Sequence, residues 1–187
     1  MSLLTPGRNI VLAGLMATGK STVGRLIAER LGRPFADTDE LIEKRTGSSV
    51  ADYFDQHGER AFREAEAEQI RRVAALRGQV VAVGGGAVLA PTNVTQLRAT
   101  GDIVLLDADP AALAERVGDA RSRPLLAGDA PPAQRLAELR DARTSEYSRA
   151  AAFTIDTTDR TPDEIADAVL EWARTQSGLL ARDELGP

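Results

Sequence analysis

"NIVLAGLMATGKST", residues 9–22, joins a short β-branched apolar run to a polar, glycine-bearing turn. The run "NIVLAG" (9–14) reads as a buried strand, and "KSTVGRLIAERLG" (20–32) reads as a helix. In that helix Val23, Leu26, Ile27, Arg30 and Leu31 fall at helical spacing and Gly32 supplies a stop. Between them Gly14, Gly19, Lys20 and Ser21 satisfy G-x-x-x-x-G-K-[ST]. Each position has a physical reason. Glycines let backbone N–H groups converge on phosphate oxygens, the lysine carries charge to the terminal phosphates, and the hydroxyl suits Mg²⁺. The N-terminal end of the following helix adds its positive dipole. The strand before and the helix after are the context this loop requires. The stretch therefore predicts a nucleoside triphosphate with Mg²⁺, and leaves open what receives the phosphate.

Strand and helix signals alternate outward from this point. Strands are expected at 34–39, 79–86, 102–109 and 151–157. Short helices are expected at 39–47 and 49–58, each closed by glycine, and a long one at 59–76. Pro110 opens a helix at its first position. The last helix, 161–175, has Thr161 as N-cap, then Pro162, with Glu164 at capping-box spacing. Such alternation implies a parallel sheet with helices on both faces. The segment "GDARSRPLLAGDAPP" (118–132) breaks the rhythm, and a long irregular loop in a compact domain is usually functional. The tail from Ser177 has no clear period and reads as mobile.

Composition narrows the class. The 187 residues suit one domain; 43% are hydrophobic, 27% charged, and seven are aromatic, so the core must be aliphatic. A net charge of −5 argues against nucleic-acid binding. With no cysteine, disulfides and thiolate metal sites are excluded and a cytoplasmic setting fits. The start lacks the pattern of a signal peptide, and no stretch reads as a membrane span. Without a GTPase-like NKxD segment, a small domain of this kind points to small-molecule kinases.

Three features lie near strand ends, where open α/β sheets bind ligands. Asp37 and Asp39 of "DTD" could serve Mg²⁺ or a reacting hydroxyl, or could cap a helix. Arg63 lies on "GERAFREAE" between Glu59 and Glu66 on one helix face. It is either part of a solvated charge ladder or a fork held by carboxylates for an anionic substrate group. "GGG" (84–86) is either a flexible turn or a place where a ligand meets the backbone.

Taken together, "GLMATGKST", "DTD", the Phe-Arg pair at 62–63, "VGGGAV" (83–88), "RPLL" (123–126) and "R--EY" (143–147) resemble the shikimate kinase family in order and spacing, over residues 8 to 175. The phosphate loop alone is widely shared; the combination is specific. The resemblance implies a three-layer α/β/α sandwich of the nucleoside-monophosphate-kinase type. Its five-stranded parallel sheet would have the order 2-3-1-4-5. It implies a single domain over 1–176, with substrate-binding helices at 38–76 and a lid at 118–132. The activity implied is transfer of the ATP γ-phosphate to the 3-hydroxyl of shikimate, in aromatic amino-acid biosynthesis, by a cytoplasmic monomer with one Mg²⁺ ion. By position, Gly14, Ala17, Thr18, Gly19, Lys20, Ser21 and Thr22 would hold ATP, with Arg116, Arg123 and Arg160. Asp39, Phe54, Phe62, Arg63, Gly84, Gly85, Gly86 and Arg143 would hold shikimate, the two arginines on its carboxylate. Lys20, Asp37 and Arg123 would carry the chemistry, with Ser21 on the metal and Asp37 reaching it through water.

Two residues are set aside. Asp107 ends "IVLLD" like a Walker B carboxylate, but in the family pattern that position is not the metal ligand. His57, before Gly58, reads as a surface residue. The rival functions are another small-molecule kinase, such as one resembling gluconate kinase, and a nucleotide-binding switch without catalysis. The triple glycine with Arg63 and Arg143 argues against the first, and intact Lys20, Ser21, Asp37, Asp39 and Arg123 against the second.

Overall fold

Parallel pairing begins at the strand that opens the phosphate loop. In the computed structural model, which describes residues 7–118, 126 and 130–185, β1 (Asn9–Ala13) is buried along its whole length. It pairs with β3 (Val80–Ala82) on one side and β4 (Gly101–Asp107) on the other. β2 (Phe35–Asp37) extends the sheet beyond β3, and β5 (Phe153–Asp156) extends it beyond β4. All pairs are parallel, and the order is β2-β3-β1-β4-β5. Strands covered on both faces should be uninterrupted and apolar, and Ile10, Val11, Leu12, Val80, Val81, Val104 and Leu106 are each at most 1% exposed.

Seven helices are described: α1 (Lys20–Leu31), α2 (Thr38–Thr46), α3 (Val50–Ala74), α4 (Pro91–Thr100), α5 (Pro110–Arg116), α6 (Pro132–Ala150) and α7 (Pro162–Thr175). α1 and α7 cover one face of the sheet through Val23, Ile27, Ile165, Val169 and Ala173. Ile70, Val73, Leu97, Leu136 and Tyr147 from α3, α4 and α6 cover the other. Gly24 brings α1 close to β2: a Cβ there would stand 2.4 Å from the Phe35 ring. A third small cluster, Ile42, Phe62 and Ala65, ties α2 to α3.

Local signals explain most boundaries. The capping box of α7 forms as spaced, with Thr161 and Glu164 bonding reciprocally and Pro162 inside the first turn. α5 starts with Pro110 behind an Asp109 cap. The two helices expected on either side of Gly58 meet there at a kink, where φ 79° and ψ 171° are non-helical; they are numbered together as α3. Strands are shorter than their apolar runs. β2 ends at Asp37 because Asp37 caps α2, accepting a bond from the Asp39 N–H at 3.0 Å. The helices α4 and α6 lie in stretches to which periodicity assigned no element; their apolar stripes are narrow.

The tail is a correction. Instead of lying free, it docks: Leu179 is 0% exposed and Leu180 6% exposed, within the core of the α1–α7 face. Glu184 forms an ion pair with Arg33 at 2.6 Å. Two leucines have no period to reveal their burial, and the anchoring carboxylate finds its arginine 151 residues away.

Candidate active site

The phosphate loop leaves β1 at a point only glycine can occupy. Gly14 has φ 139°, and a Cβ there would stand 2.2 Å from the Leu106 carbonyl oxygen of β4. Ala17 at φ 64° and Gly19 at φ 91° complete the curl. The Thr18 hydroxyl donates to the Leu15 carbonyl at 2.9 Å and locks the turn. The Lys20 ammonium folds back along the loop, donating to the carbonyls of Gly14 (3.0 Å) and Leu15 (2.7 Å). Ser21, in the first turn of α1, donates to Asp37 Oδ2 at 2.6 Å. Thr22, one residue on, is exposed. The helix-cap reading of Asp37 holds: one carboxylate oxygen caps α2, while the other accepts from the hydroxyl of the loop serine.

Asp39 is the second residue of α2, behind this pair. Its Oδ1 is buried and has no hydrogen-bond partner. Burial, and next the charge of Asp37, push its carboxyl up to about 6, with Lys20 pulling the other way. Glu66 shares the condition from the opposite wall. It is 1% exposed, its Oε1 is unpartnered, and burial raises its carboxyl while Arg63 opposes the rise. Between them passes Gly84. A Cβ there would stand 2.8 Å from both orphaned oxygens. Buried acceptors without donors are costly, and both of these oxygens face the glycine turn.

The arginines converge on the same glycines. Arg63 on α3 pairs with Glu66 Oε2 at 2.9 Å and, more loosely, with Glu59 at 3.6 Å. The solvated-ladder reading fails at Glu66, whose side chain is only 2% exposed against 68% for Glu59. Gly86 faces the Arg63 guanidinium, which a Cβ would meet at 2.4 Å. Arg143 on α6 donates to the Gly85 carbonyl at 3.1 Å, and Tyr147 donates to the same oxygen at 2.6 Å. Burial raises the Tyr147 phenol, which keeps it a donor. Phe62 lies under Arg63 at 5.2 Å and packs beside Phe54 at 5.8 Å, forming an apolar flank.

Further along, Arg116 donates to the carbonyls of Thr157 (2.8 Å) and Thr158, at the turn that carries Arg160. The two residues expected at the adenine end therefore belong to one locale. Arg123 lies outside the described residues, as does most of the expected lid. His57 is exposed, its ring tilted at 43° to that of Tyr53 with centroids 4.5 Å apart. Asp107 is engaged by Arg140 through two bonds to Nε, at 3.0 and 3.2 Å. Sequence reasoning treated Glu66 only as a neighbour of Arg63 and did not single out Tyr147. Their signal was their helical spacing, three from Arg63 and four from Arg143.

A phosphate loop at the C-terminal ends of a 2-3-1-4-5 parallel sheet, with two carboxylates beside its serine and two arginines across from them, defines a P-loop phosphotransferase. The model of the shikimate kinase family, described as "Shikimate kinase", matches residues 16–174. Among curated relatives, the shikimate kinase of Symbiobacterium thermophilum is 48% identical over 165 residues, 87% of this chain and 94% of that one. That of Caldanaerobacter subterraneus subsp. tengcongensis is 44% identical, with the same coverage. The solved shikimate kinase of Acinetobacter baumannii, in complex with shikimate, superposes with a TM-score of 0.84 at 34% identity, covering 88% of this chain and 92% of that one. The chain belongs to the shikimate kinase family. It is accordingly an ATP-dependent phosphotransferase with an alcohol acceptor, acting in aromatic amino-acid biosynthesis.

Proposed function

We propose that this site transfers the γ-phosphate of ATP to the 3-hydroxyl of shikimate through the residues just described. The observation that carries the assignment is Asp39: a half-buried residue whose Oδ1 is buried and unpartnered, within the field of Lys20 and across Gly84 from Glu66. A carboxylate so placed accepts hydrogen bonds from vicinal hydroxyls. Arg63 and Arg143 then take the substrate carboxylate, where paired guanidinium forks favour a planar anion. Gly84, Gly85 and Gly86 let the ring approach the backbone, and Phe54 and Phe62 cover its apolar side.

Gly14 to Thr22 cradle the triphosphate, with Lys20 turning from the loop carbonyls to the β- and γ-phosphates. Arg116 and Arg160 flank the adenine end. Asp37 orients the attacking hydroxyl or takes its proton. Arg123 acts on the transferring phosphoryl by family position. Ser21 Oγ and the Asp37 carboxylate offer the hard oxygen donors that suit Mg²⁺, the serine directly and the aspartate through water. When bound there, the ion neutralises charge on the phosphates. The domain assignment is one kinase domain over 1–176 with acceptor helices at 38–76. No helix among the described residues is long and apolar enough to cross a membrane; we assign the protein to the cytoplasm as a monomer.

A coupled ADP-release assay tests the reading, with shikimate, gluconate, a nucleoside monophosphate or no acceptor. Release with shikimate alone is expected. Release with gluconate instead would reassign the acceptor, and release with none would return the chain to the class of nucleotide-binding switches.

A further inference from the structure

We infer that Arg140, through its ion pair with Asp107, is a positioning residue that sets the reach of Arg143 toward the acceptor carboxylate; the inference rests on the substrate role proposed for Arg143.

The geometry begins with spacing. Arg140, Arg143 and Tyr147 stand at i, i+3 and i+7 on α6, so they share one face. Arg143 and Tyr147 both donate to the Gly85 carbonyl, at 3.1 and 2.6 Å. Arg140, one turn nearer the N-terminus, grips Asp107 through Nε at 3.0 and 3.2 Å and through Nη2 at 2.5 Å. The helix is thus held at both ends of one stripe, to the glycine turn and to the sheet.

Asp107 is a firm anchor. It is the last residue of β4, its carbonyl accepts from the Thr157 N–H at 2.8 Å, and it stands in register with Asp156 of β5. The preceding carbonyl, of Leu106, is the group against which Gly14 of the phosphate loop packs. A fork gripping this strand end fixes both the rotation and the axial position of α6 relative to the loop. A point-charge lysine would fix neither as well.

Stability is a weak explanation for the pair. Its side chains are 40% and 28% exposed, and ion pairs that wet contribute little to folding. Its second effect is electrostatic. Asp109 also faces Arg140, and Asp156 feels its charge. Without the arginine, Asp107, Asp109 and Asp156 would lose a cation they share at this end of the sheet.

The test compares Arg140→Met, Asp107→Asn, Arg140→Lys and Arg143→Ala in steady-state kinetics, with thermal melts of each. Met preserves stem volume and helix propensity, and Asn preserves shape, so either variant carries the test if the other misfolds. Arg140→Met is expected to raise KM for shikimate about tenfold with kcat and KM for ATP within about twofold, Lys recovering part of it. The double variant Arg140→Met/Asp107→Asn should be no worse than Arg140→Met, since one tether is lost in each. An unchanged KM for shikimate in Arg140→Met, with Arg143→Ala raising it, overturns the tether alone. An unchanged KM in Arg143→Ala overturns the substrate assignment beneath it. A rise confined to KM for ATP would make the pair a nucleotide-side device and also overturn the inference.

Discussion

In the proposed mechanism, transfer depends on Lys20. Its ammonium now bonds two loop carbonyls, an arrangement that keeps it within the loop until phosphate oxygens replace those acceptors. The role proposed for it is to stabilise charge that develops in the transition state, and loss of such a donor costs about 10²–10³ in rate. Lys20→Ala should therefore remain folded by circular dichroism and lose turnover by that factor. Near-normal turnover in the folded variant would refute the loop assignment. Asp39 carries the complementary prediction. Its carboxyl, raised to about 6 by burial and by Asp37, must be ionised for the hydroxyl-accepting role proposed for it, so kcat/KM for shikimate should fall as pH drops through about 6. Stability runs the other way. A raised folded pKa means that the folded state holds its proton more tightly than the unfolded chain. The resulting stabilisation is complete below the ordinary value of 3.8 and is lost as pH rises through about 6. At neutral pH the ionised group is a burden on the order of 1–3 kcal/mol. Asp39→Asn should melt several degrees higher than the parent at pH 7.5 while losing activity. A lower melting point would show that the carboxylate is not strained.

Among the elements, α3 does the most unusual work, because it must bend. Gly58 interrupts it with φ 79° and ψ 171°, a region open almost only to glycine. A Cβ there would meet nothing within 4 Å, so the cost of substitution is backbone strain without a clash. Gly58→Ala should destabilise by about 1–3 kcal/mol, or relax by straightening the helix. The bend sets Phe54 5.8 Å from Phe62, so the variant should also raise KM for shikimate more than KM for ATP. Equal effects on both substrates would mean that the bend serves the fold alone. This glycine was visible in the sequence as a stop between two helices, as was Thr161 as a cap, because a cap or breaker acts on its own neighbours. The strand order came only through resemblance: alternation dictates parallel pairing but not which strand lies beside which. Asp37, Arg63 and the triple glycine stood out by type and position near strand ends as candidates, each beside a structural alternative. What could not be read was Glu66 as a buried partner rather than a wet one, or the grip of Arg140 on Asp107 from 33 positions away. Those depend on tertiary contacts between helix and sheet, which local periodicity does not encode.

For the whole molecule, the site occupies the C-terminal ends of the strands, and the opposite end is closed by a separate clamp. Arg33, just before β2, is 3% exposed at its side chain, and each of its three guanidinium nitrogens donates a hydrogen bond. It donates to the carbonyls of Arg8 and Leu179, each at 2.8 Å, and twice to Glu184, each at 2.6 Å. The chain entering β1 and the segment after α7 are thereby joined, with the Arg8 N–H bonding the Gly178 carbonyl at 2.9 Å. Removing one member of a buried pair strands the other, at a cost of about 3–5 kcal/mol. Arg33→Met should lose that much in urea unfolding, and Glu184→Gln somewhat less because its shape and one acceptor remain. Burial works against the Glu184 charge, but the bonds from Arg33 and from the Ala181 N–H outweigh it and leave the carboxyl below its ordinary 4.5. A lowered folded pKa gives stability that is present above 4.5 and lost as pH falls through the folded value. The gap between parent and Glu184→Gln should therefore be widest at neutral pH and close in acid, opposite in sign to the Asp39 effect at the other end of the sheet. Because the clamp is remote from the glycine turn and the phosphate loop, kcat at 25 °C should stay within about twofold in both variants. A gap that persists unchanged into acid would show that the segment is held by Leu179 and Leu180 alone, with the charge pair contributing nothing to their docking.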